Sequence, residues 1–530
     1  MNKTGIIEVP GLDYNLDPLG YGHFLYNHMI NHKHKIAQVD ARTRKNETYQ
    51  DLLERCVRTA LYLKKIGVQP GDFISLCTYN HLDACVPVIS AFFINAIMSA
   101  VDPSLSLEDT VHLLQQTKPK VIFALSESIP MIESVINRIG TNTTVIVFDS
   151  NASHIPFSSV LAACTKNEIS SFSPTPVKSL DDIAIVFFSS GTTGLSKGIC
   201  HKHYSLFCQS INNAESGFNF DLSFGYYSPY WTVYVTCLCT SIITGTARLI
   251  VPKFDKFDPW EPFYHKPNYV ILNVFQSLTL CIFPKPEEVD LSFVKVVLIT
   301  GGVIQSDQIE ELQKIFVDSK IYLLYGQSEV FGYLAHFTPK DEKLLASKRN
   351  SVGFGRPGIS YKIVDLDSRM PLGPNKIGEL CVKTKFAMVG YHNMDSSVAW
   401  DSNGWLKTGD VVYYDDYGCF YVVERIKEMF KYQGWHVTPS VIETVLLQHP
   451  AVASAVVLGA VHKYDGHRPI GIVVLKPGYE NVNEAEIQNF VDDKVENRLK
   501  LRAGLKFVDR LPMTASGKIN RWRLKANLGI

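Results

Sequence analysis

Several stretches of this chain gather residue types that bind anions or metals. The densest is Ser189-Ser190-Gly191-Thr192-Thr193-Gly194-Leu195-Ser196-Lys197-Gly198. Its three glycines let the backbone curl so that N–H groups face an anion, its five hydroxyls donate to oxygen, and Lys197 adds a mobile point charge. A loop of this kind grips a polyphosphate. The spacing is not that of Walker A, which sets Gly-Lys-Ser/Thr together after four variable residues. Further along, Thr300-Gly301-Gly302 ends an apolar run without side chains, so a flat ring or a substrate can lie against backbone. Tyr325-Gly326-Gln327-Ser328-Glu329 offers an aromatic face, a hydroxyl in phosphate range and a hard carboxylate oxygen suited to Mg²⁺. Asp410 follows Gly409, Arg425 follows Glu424, Lys431 stands in Phe430-Lys431-Tyr432-Gln433-Gly434-Trp435, and Lys518 ends Thr514-Ala515-Ser516-Gly517-Lys518. Singly, these four are ordinary turn or surface residues.

The elements that must position them follow from periodicity. Residues 183–188, directly before the first loop, form an apolar β-prone run long enough for a buried parallel strand, so the loop leaves a sheet edge where ligands sit in open α/β sheets. Strand-like runs at 73–78, 121–125 and 144–148 alternate with helical patterns at 49–66, 107–116 and 131–139. The rhythm resumes with strands at 269–274, 294–299 and 320–324 and a helix at 306–316 that starts from a Ser306 cap. Charged residues 339–349 are expected to be a solvated connection. Short runs at 361–365, 378–383 and 419–423, divided by Gly, Asn and Asp turns, indicate a small β-rich lobe at about 350–423. From Arg425 onward an α+β unit is expected, with helices at 439–448 and 483–499 and strands at 453–458 and 470–475. The fold class is therefore α/β: a large N-terminal domain of helix-covered, mostly parallel sheets, the β-rich lobe, and a small C-terminal α+β domain.

Composition narrows the function classes. A length of 530 residues is about three to four lobes. Lys+Arg and Asp+Glu both number 52, so no net field draws nucleic acid or an anionic membrane surface, and no nucleic-acid partner is expected. Eleven scattered cysteines lack zinc or redox spacing and are expected to be reduced and mostly buried. The uncharged runs 84–101 and 224–247 are broken by polar residues and imply buried helix and strand rather than membrane spans, which argues against a membrane transport protein. The N-terminus shows no signal-peptide core and the C-terminal residues are not Ser-Lys-Leu, so the expected location is cytoplasmic.

Taken together and in order, the loop at 189–198, Thr300-Gly301-Gly302, Tyr325–Glu329, Thr408-Gly409-Asp410, and Glu424-Arg425 with distant Lys518 resemble the adenylate-forming superfamily of acyl-CoA synthetases, peptide-synthetase adenylation domains and insect luciferases. The resemblance covers nearly the whole chain and is greatest to insect luciferases and their acyl-CoA ligase relatives. It implies a large domain at 1–423 and a small mobile domain at 424–530, with a hinge near Glu424. It implies binding of ATP and Mg²⁺: the 189–194 loop with Lys197 on the phosphates, Gly301, Gly302, Tyr325 and Gly326 about the adenine, Ser328 on the α-phosphate, Glu329 on the metal, and Asp410 with Arg425 at the ribose. Lys518 would bridge carboxylate and phosphate during adenylation, where a cation counts most, and the Lys431–Gly434 face would serve a second step with either O₂ or coenzyme A. The substrate would be a small carboxylic acid. All the charged residues that the resemblance requires are present, which argues against an inactive binding protein.

Two positions depart from the family pattern. Ser328 stands where most members have Thr, and the hydroxyl is kept. Where many luciferases and acyl-CoA ligases carry His-His-Gly-Phe, this chain reads Pro229-Tyr230-Trp231-Thr232-Val233. An indole cannot act toward a carboxylate as imidazole does. Tyr230 and Trp231, with Val303, are therefore candidates for the substrate pocket, or else the two aromatics line a core helix.

Overall fold

The computed structural model describes residues 5–149, 153–189, 196–513 and 519–530. The chain builds four sheets. An eight-stranded sheet centres on Phe73–Cys77, which runs parallel to Ile97–Val101 and Val121–Ala124. A nine-stranded sheet carries the parallel series Lys320–Gln327, Val296–Thr300, Tyr269–Asn273 and Leu222–Gly225. A six-stranded, mostly antiparallel sheet holds Ser360–Val364, Gly378–Lys383, Leu406–Tyr414 and Phe420–Arg425. The fourth, five-stranded sheet lies wholly beyond residue 429 and has its own apolar clusters, built on Ile442, Val457 and Val473 and on Leu458 and Leu524.

Local chemistry explains most element boundaries. Helix Tyr49–Lys65 begins at Thr48, whose side chain accepts from the Asp51 backbone while Asp51 returns the bond, a reciprocal capping box. It buries Leu52, Cys56, Val57, Ala60 and Leu63 on one stripe. In helix Val86–Ile94 every residue is buried, and strand Ile97–Val101 follows. At 1.5 Å per residue this nine-residue helix spans about 14 Å, half a bilayer core. No helix among the described residues is long and apolar enough to cross a membrane. All eleven cysteines are free, and nine are buried.

Four local expectations need correction, and one pairing has no counterpart among them. Strand Ile183–Ser189 is parallel to Ile97–Val101 on one side only; on the other it pairs antiparallel with Lys197–Lys202, Ser189 opposite Lys197. Helix Ser306–Ile315 is capped by Gln305, whose side chain exchanges bonds with Gln308, and Ser306 is its first helical residue. The charged stretch after Thr338 contains helix Glu342–Ser347, held by buried Leu345. The expected helix 483–499 stops at Glu484–Asp492, because the Asp492 carboxylate turns to accept the Leu501 N–H at 2.8 Å; only a 3₁₀ turn, Asn497–Leu499, follows. Finally, Ile6–Glu8 joins the β-rich lobe as an edge strand opposite Ser360–Val364, a pairing with no signal in so short a run.

Candidate active site

Strand Lys320–Gln327 and the turn that follows it are the hub. Its last residues meet the end of the six-stranded sheet, where Asp410 and Arg425 face each other across Leu406–Tyr414 and Phe420–Arg425. Asp410 is buried, and its Oδ2 accepts from the Tyr325 hydroxyl and from Gln327 Nε2, each at 2.6 Å. Its Oδ1 pairs with Arg425 Nε, also at 2.6 Å, and Gln327 Nε2 reaches the Thr408 carbonyl at 2.7 Å. A carboxylate has about four lone-pair positions, so three donors leave one acceptor position on Oδ1. Burial, followed by the Asp410 charge, pushes the Tyr325 phenol well above its ordinary pKa, so it stays a donor.

The turn Ser328–Val330 is tied to three other segments. His201 Nε2 donates to the Ser328 carbonyl at 2.6 Å, the Met388 amide donates to the Glu329 carbonyl at 2.7 Å, and Thr232 Oγ1 donates to Ser328 Oγ at 3.1 Å. Burial pushes the His201 imidazole down to about 4, so it is neutral and Nε2 carries the proton. Phe331, directly after the turn, has φ +55°, a left-handed conformation costly for an aromatic residue. Its ring is held there by Phe187, stacked at 5.7 Å.

Glu329 sits at the open end of this turn. Burial raises its carboxyl above the usual carboxylate range, with Asp410 adding and Arg425 and Lys427 opposing. A desolvated carboxylate short of compensating cations fits a hard divalent ion. Among the described residues no three or more His, Cys, Asp or Glu side chains form a metal cluster. A single carboxylate of this kind could hold Mg²⁺, which takes one carboxylate and relies on phosphate and water for the rest.

The glycines divide by physical role. Gly301 has φ +82°, and a Cβ there would meet only the Asn273 Cβ, at 3.5 Å, so the end of strand Val296–Thr300 stays open. A Cβ on Gly326 would lie 2.3 Å from the Gly332 carbonyl oxygen, so close approach of two strands requires this glycine. A Cβ on Gly302 would come within 3.3 Å of Val274 Cγ2.

The remaining expected residues are more dispersed. Lys197 Nζ lies 4.7 Å from the Tyr391 ring centre. Tyr230 is buried in the turn before helix Thr232–Thr244, edge-on to Trp231 at 5.1 Å; Trp231 caps that helix, so neither lies within it. Val303 is 42% exposed. Lys431, on strand Phe430–Tyr432, is exposed and pairs with Asp367 of the β-rich lobe at 3.2 Å rather than with the Asp410 group. Ser190, Gly191, Thr192, Thr193, Gly194 and Lys518, and the side chain of Ser189, lie outside the described residues. On either side of the Lys518 stretch, Met513 and Ile519 form an antiparallel bridge. Sequence reasoning missed Gln327, Thr232 and His201. Gln327 and Thr232 sit within motifs already singled out, but nothing in those motifs says which way a side chain turns; His201 carries no local signal at all.

Known proteins resemble this chain over most of its length. Residues 26–392 match the AMP-binding enzyme family and residues 441–518 the AMP-binding enzyme C-terminal domain. A luciferin 4-monooxygenase from Photuris pensylvanica is 29% identical over 92% of this chain and 90% of its own length. A probable 4-coumarate–CoA ligase from Dictyostelium discoideum is 27% identical over 95% and 94%, respectively. The solved structure of a luciferase-like enzyme from the nonluminescent mealworm Zophobas morio superposes with a TM-score of 0.76 at 33% identity, covering 80% of this chain and all of that one. The first of these matches spans more than half of the chain, and this chain belongs to the AMP-binding family of adenylate-forming enzymes.

Proposed function

We propose that the protein activates a small carboxylic acid with MgATP. A carboxylate oxygen bonds to the α-phosphorus, the bond from that phosphorus to the pyrophosphate oxygen breaks, and acyl-AMP and pyrophosphate result. The observation that carries this reading is the convergence of Tyr325, Ser328, Glu329, Asp410 and Arg425, from three separate segments, at one set of strand ends. In this reading Asp410 accepts a ribose hydroxyl at its remaining Oδ1 position; a second would require Tyr325 or Gln327 to yield. The open edge at Gly301 and Gly302 takes the adenine beside Tyr325 and Gly326, Ser328 donates to the α-phosphate, and the 189–194 loop with Lys197 holds the outer phosphates. Mg²⁺, when bound at Glu329, neutralises the phosphate charge. Glu424 accepts from the Ser440 amide and the Arg425 amide, both at 3.0 Å, which supports a hinge at Glu424 between domains 1–423 and 424–530. Rotation there would bring Lys518 to the reacting phosphate.

For the second step we favour oxidation: the adenylate of a luciferin loses a proton and combines with O₂, AMP leaves as a cyclic peroxide closes, and loss of CO₂ from that peroxide gives an excited carbonyl product that emits light. The monooxygenase relatives support it. The competing reading, attack by the thiol of coenzyme A on the acyl carbonyl with loss of AMP, is favoured by the ligase relatives and by the nonluminescent neighbour. Free cysteines throughout support a reducing, cytoplasmic setting for either. The test of the first step is exchange of labelled pyrophosphate into ATP driven by a panel of acids. Lys518→Ala should slow it by about two to three orders of magnitude; equal rates in parent and variant refute that role. Light and thioester, assayed on the acids that pass, decide the second step.

A further inference from the structure

The peptide groups on both sides of Lys197 are held by a single helix that belongs to none of the motifs singled out above. Helix Leu107–Thr117 starts at Ser106, whose side chain accepts from the Asp109 amide, and it buries Thr110, Leu113, Leu114 and Thr117. His112 and Gln116 stand four residues apart, one turn above the other, and both are half-buried. His112 Nε2 donates to the Ser196 carbonyl at 2.8 Å, and Gln116 Nε2 donates to the same oxygen at 3.3 Å. Gln116 Oε1 in turn accepts the Gly198 amide at 3.3 Å. The Ser196 oxygen belongs to the peptide plane before Lys197 and the Gly198 nitrogen to the plane after it. The backbone of Lys197 is therefore pinned from both ends.

These bonds replace a strand that stops short. Strand Lys197–Lys202 pairs along its length with Ile183–Ser189, but on its other side Gly390–Tyr391 meets only Ile199 and Cys200. One residue earlier, the Gly198 amide finds the Gln116 side chain instead. A Cβ on Gly198 would lie 3.3 Å from Gln116 Oε1 and 3.0 Å from Val186 Cγ1, so the approach needs a glycine there. The Lys197 ammonium, 4.7 Å from the centre of the Tyr391 ring, makes a cation–π contact. Burial and then the Glu329 charge push the Tyr391 phenol up to about 12, so the ring beside the lysine lies within the field of the carboxylate proposed for Mg²⁺. A lysine side chain is long and flexible, and the backbone that carries it decides which groups it can reach.

We propose that His112 and Gln116 are positioning residues for ATP: by fixing the peptide groups on either side of Lys197 they aim its ammonium at the outer phosphates. This rests on the reading of Lys197 as a phosphate ligand. Neither residue touches nucleotide, and both act through Lys197.

The experiment is equilibrium binding of MgATP and of AMP, which lacks the outer phosphates, measured by titration calorimetry on the whole chain and its variants. In His112→Leu/Gln116→Leu, MgATP should bind about tenfold more weakly, the effect of losing two or three hydrogen bonds, while AMP binds as in the parent. His112→Gln, which keeps an amide N–H near the place of Nε2, should retain more MgATP affinity than His112→Leu. In a Lys197→Ala background the pair of substitutions should weaken MgATP by less than about twofold, because the group they aim is gone. A general loss of structure weakens both nucleotides alike. Equal weakening of AMP and MgATP, full weakening in the Lys197→Ala background, or parental MgATP affinity in the pair variant each overturns the positioning role. Should the pair variant not fold, Gln116→Leu alone carries the same comparisons. If Lys197→Ala binds MgATP as the parent does, the phosphate reading of Lys197 falls too; if it binds weakly while the pair variant does not, only the role of His112 and Gln116 falls.

Discussion

At Asp410 two neutral donors and one guanidinium converge on a single buried carboxylate, each at 2.6 Å. Replacing it by Asn presents an amide to Gln327 and leaves Arg425 without its counter-ion, so Asp410→Asn should cost about 2 kcal/mol in denaturant unfolding and weaken ATP binding together. Loss of nucleotide affinity without loss of stability would mean that the bonds within the cluster contribute little to the fold. Glu329 gives a prediction of opposite sign. Its carboxyl holds a proton longer in the folded protein than in the unfolded chain, so its contribution to stability is present at low pH and is lost as pH rises through the raised pKa. Melting curves without nucleotide, taken from about pH 4 to 8, should show this fall in the parent and lack it in Glu329→Gln. Parallel curves refute it. At this scale the sequence made Asp410, Arg425 and Glu329 legible, because each stands in a short motif. Gln327 was not: its neighbours do not reveal that its side chain bends back to the Thr408 carbonyl.

Elements place these residues through steric fit as well as hydrogen bonding. Gly326 lies where strand Lys320–Gln327 passes Gly332, and Gly326→Ala would set a methyl carbon 2.3 Å from a carbonyl oxygen. It should destabilise the protein by about 3 kcal/mol or more, whereas Gly301→Ala, which meets only backbone strain, should cost about 1–2 kcal/mol. Urea unfolding of the two variants side by side checks the order; equal costs contradict it. Helix periodicity was readable at Tyr49–Lys65, where the apolar stripe expected over 49–66 matches the helix observed. It misled at 483–499, because the pattern continues past Asp492 while a distant amide, that of Leu501, captures the Asp492 side chain and ends the helix. Propensity is a weak prior wherever one tertiary hydrogen bond competes with it.

Across the whole molecule, the five-stranded sheet beyond residue 429 touches the β-rich lobe through Lys431 and Asp367 and through the Glu424–Ser440 junction. The Lys431 pair is exposed on both sides, so Asp367→Ala should leave the melting temperature essentially unchanged. If release of Lys431 accompanies rotation of the C-terminal domain, that variant should alter the rate of the second half-reaction while pyrophosphate exchange stays at the parental rate; no change in either would sink the idea that this contact holds one arrangement. The sequence by itself determined the family, the alternation that yields helix-covered sheets, and Asp410, Arg425 and Glu329 as candidate site residues, since composition, periodicity and short motifs are local properties of a chain. Only the tertiary structure decided which strand ends share one site, that Lys197–Lys202 folds back on Ile183–Ser189, and that unpaired polar atoms gather behind helix Thr232–Thr244. For the strand ends and the unpaired atoms the physical reason is that burial and hydrogen-bond satisfaction are settled between segments tens to hundreds of residues apart, and no short window along the chain contains both partners.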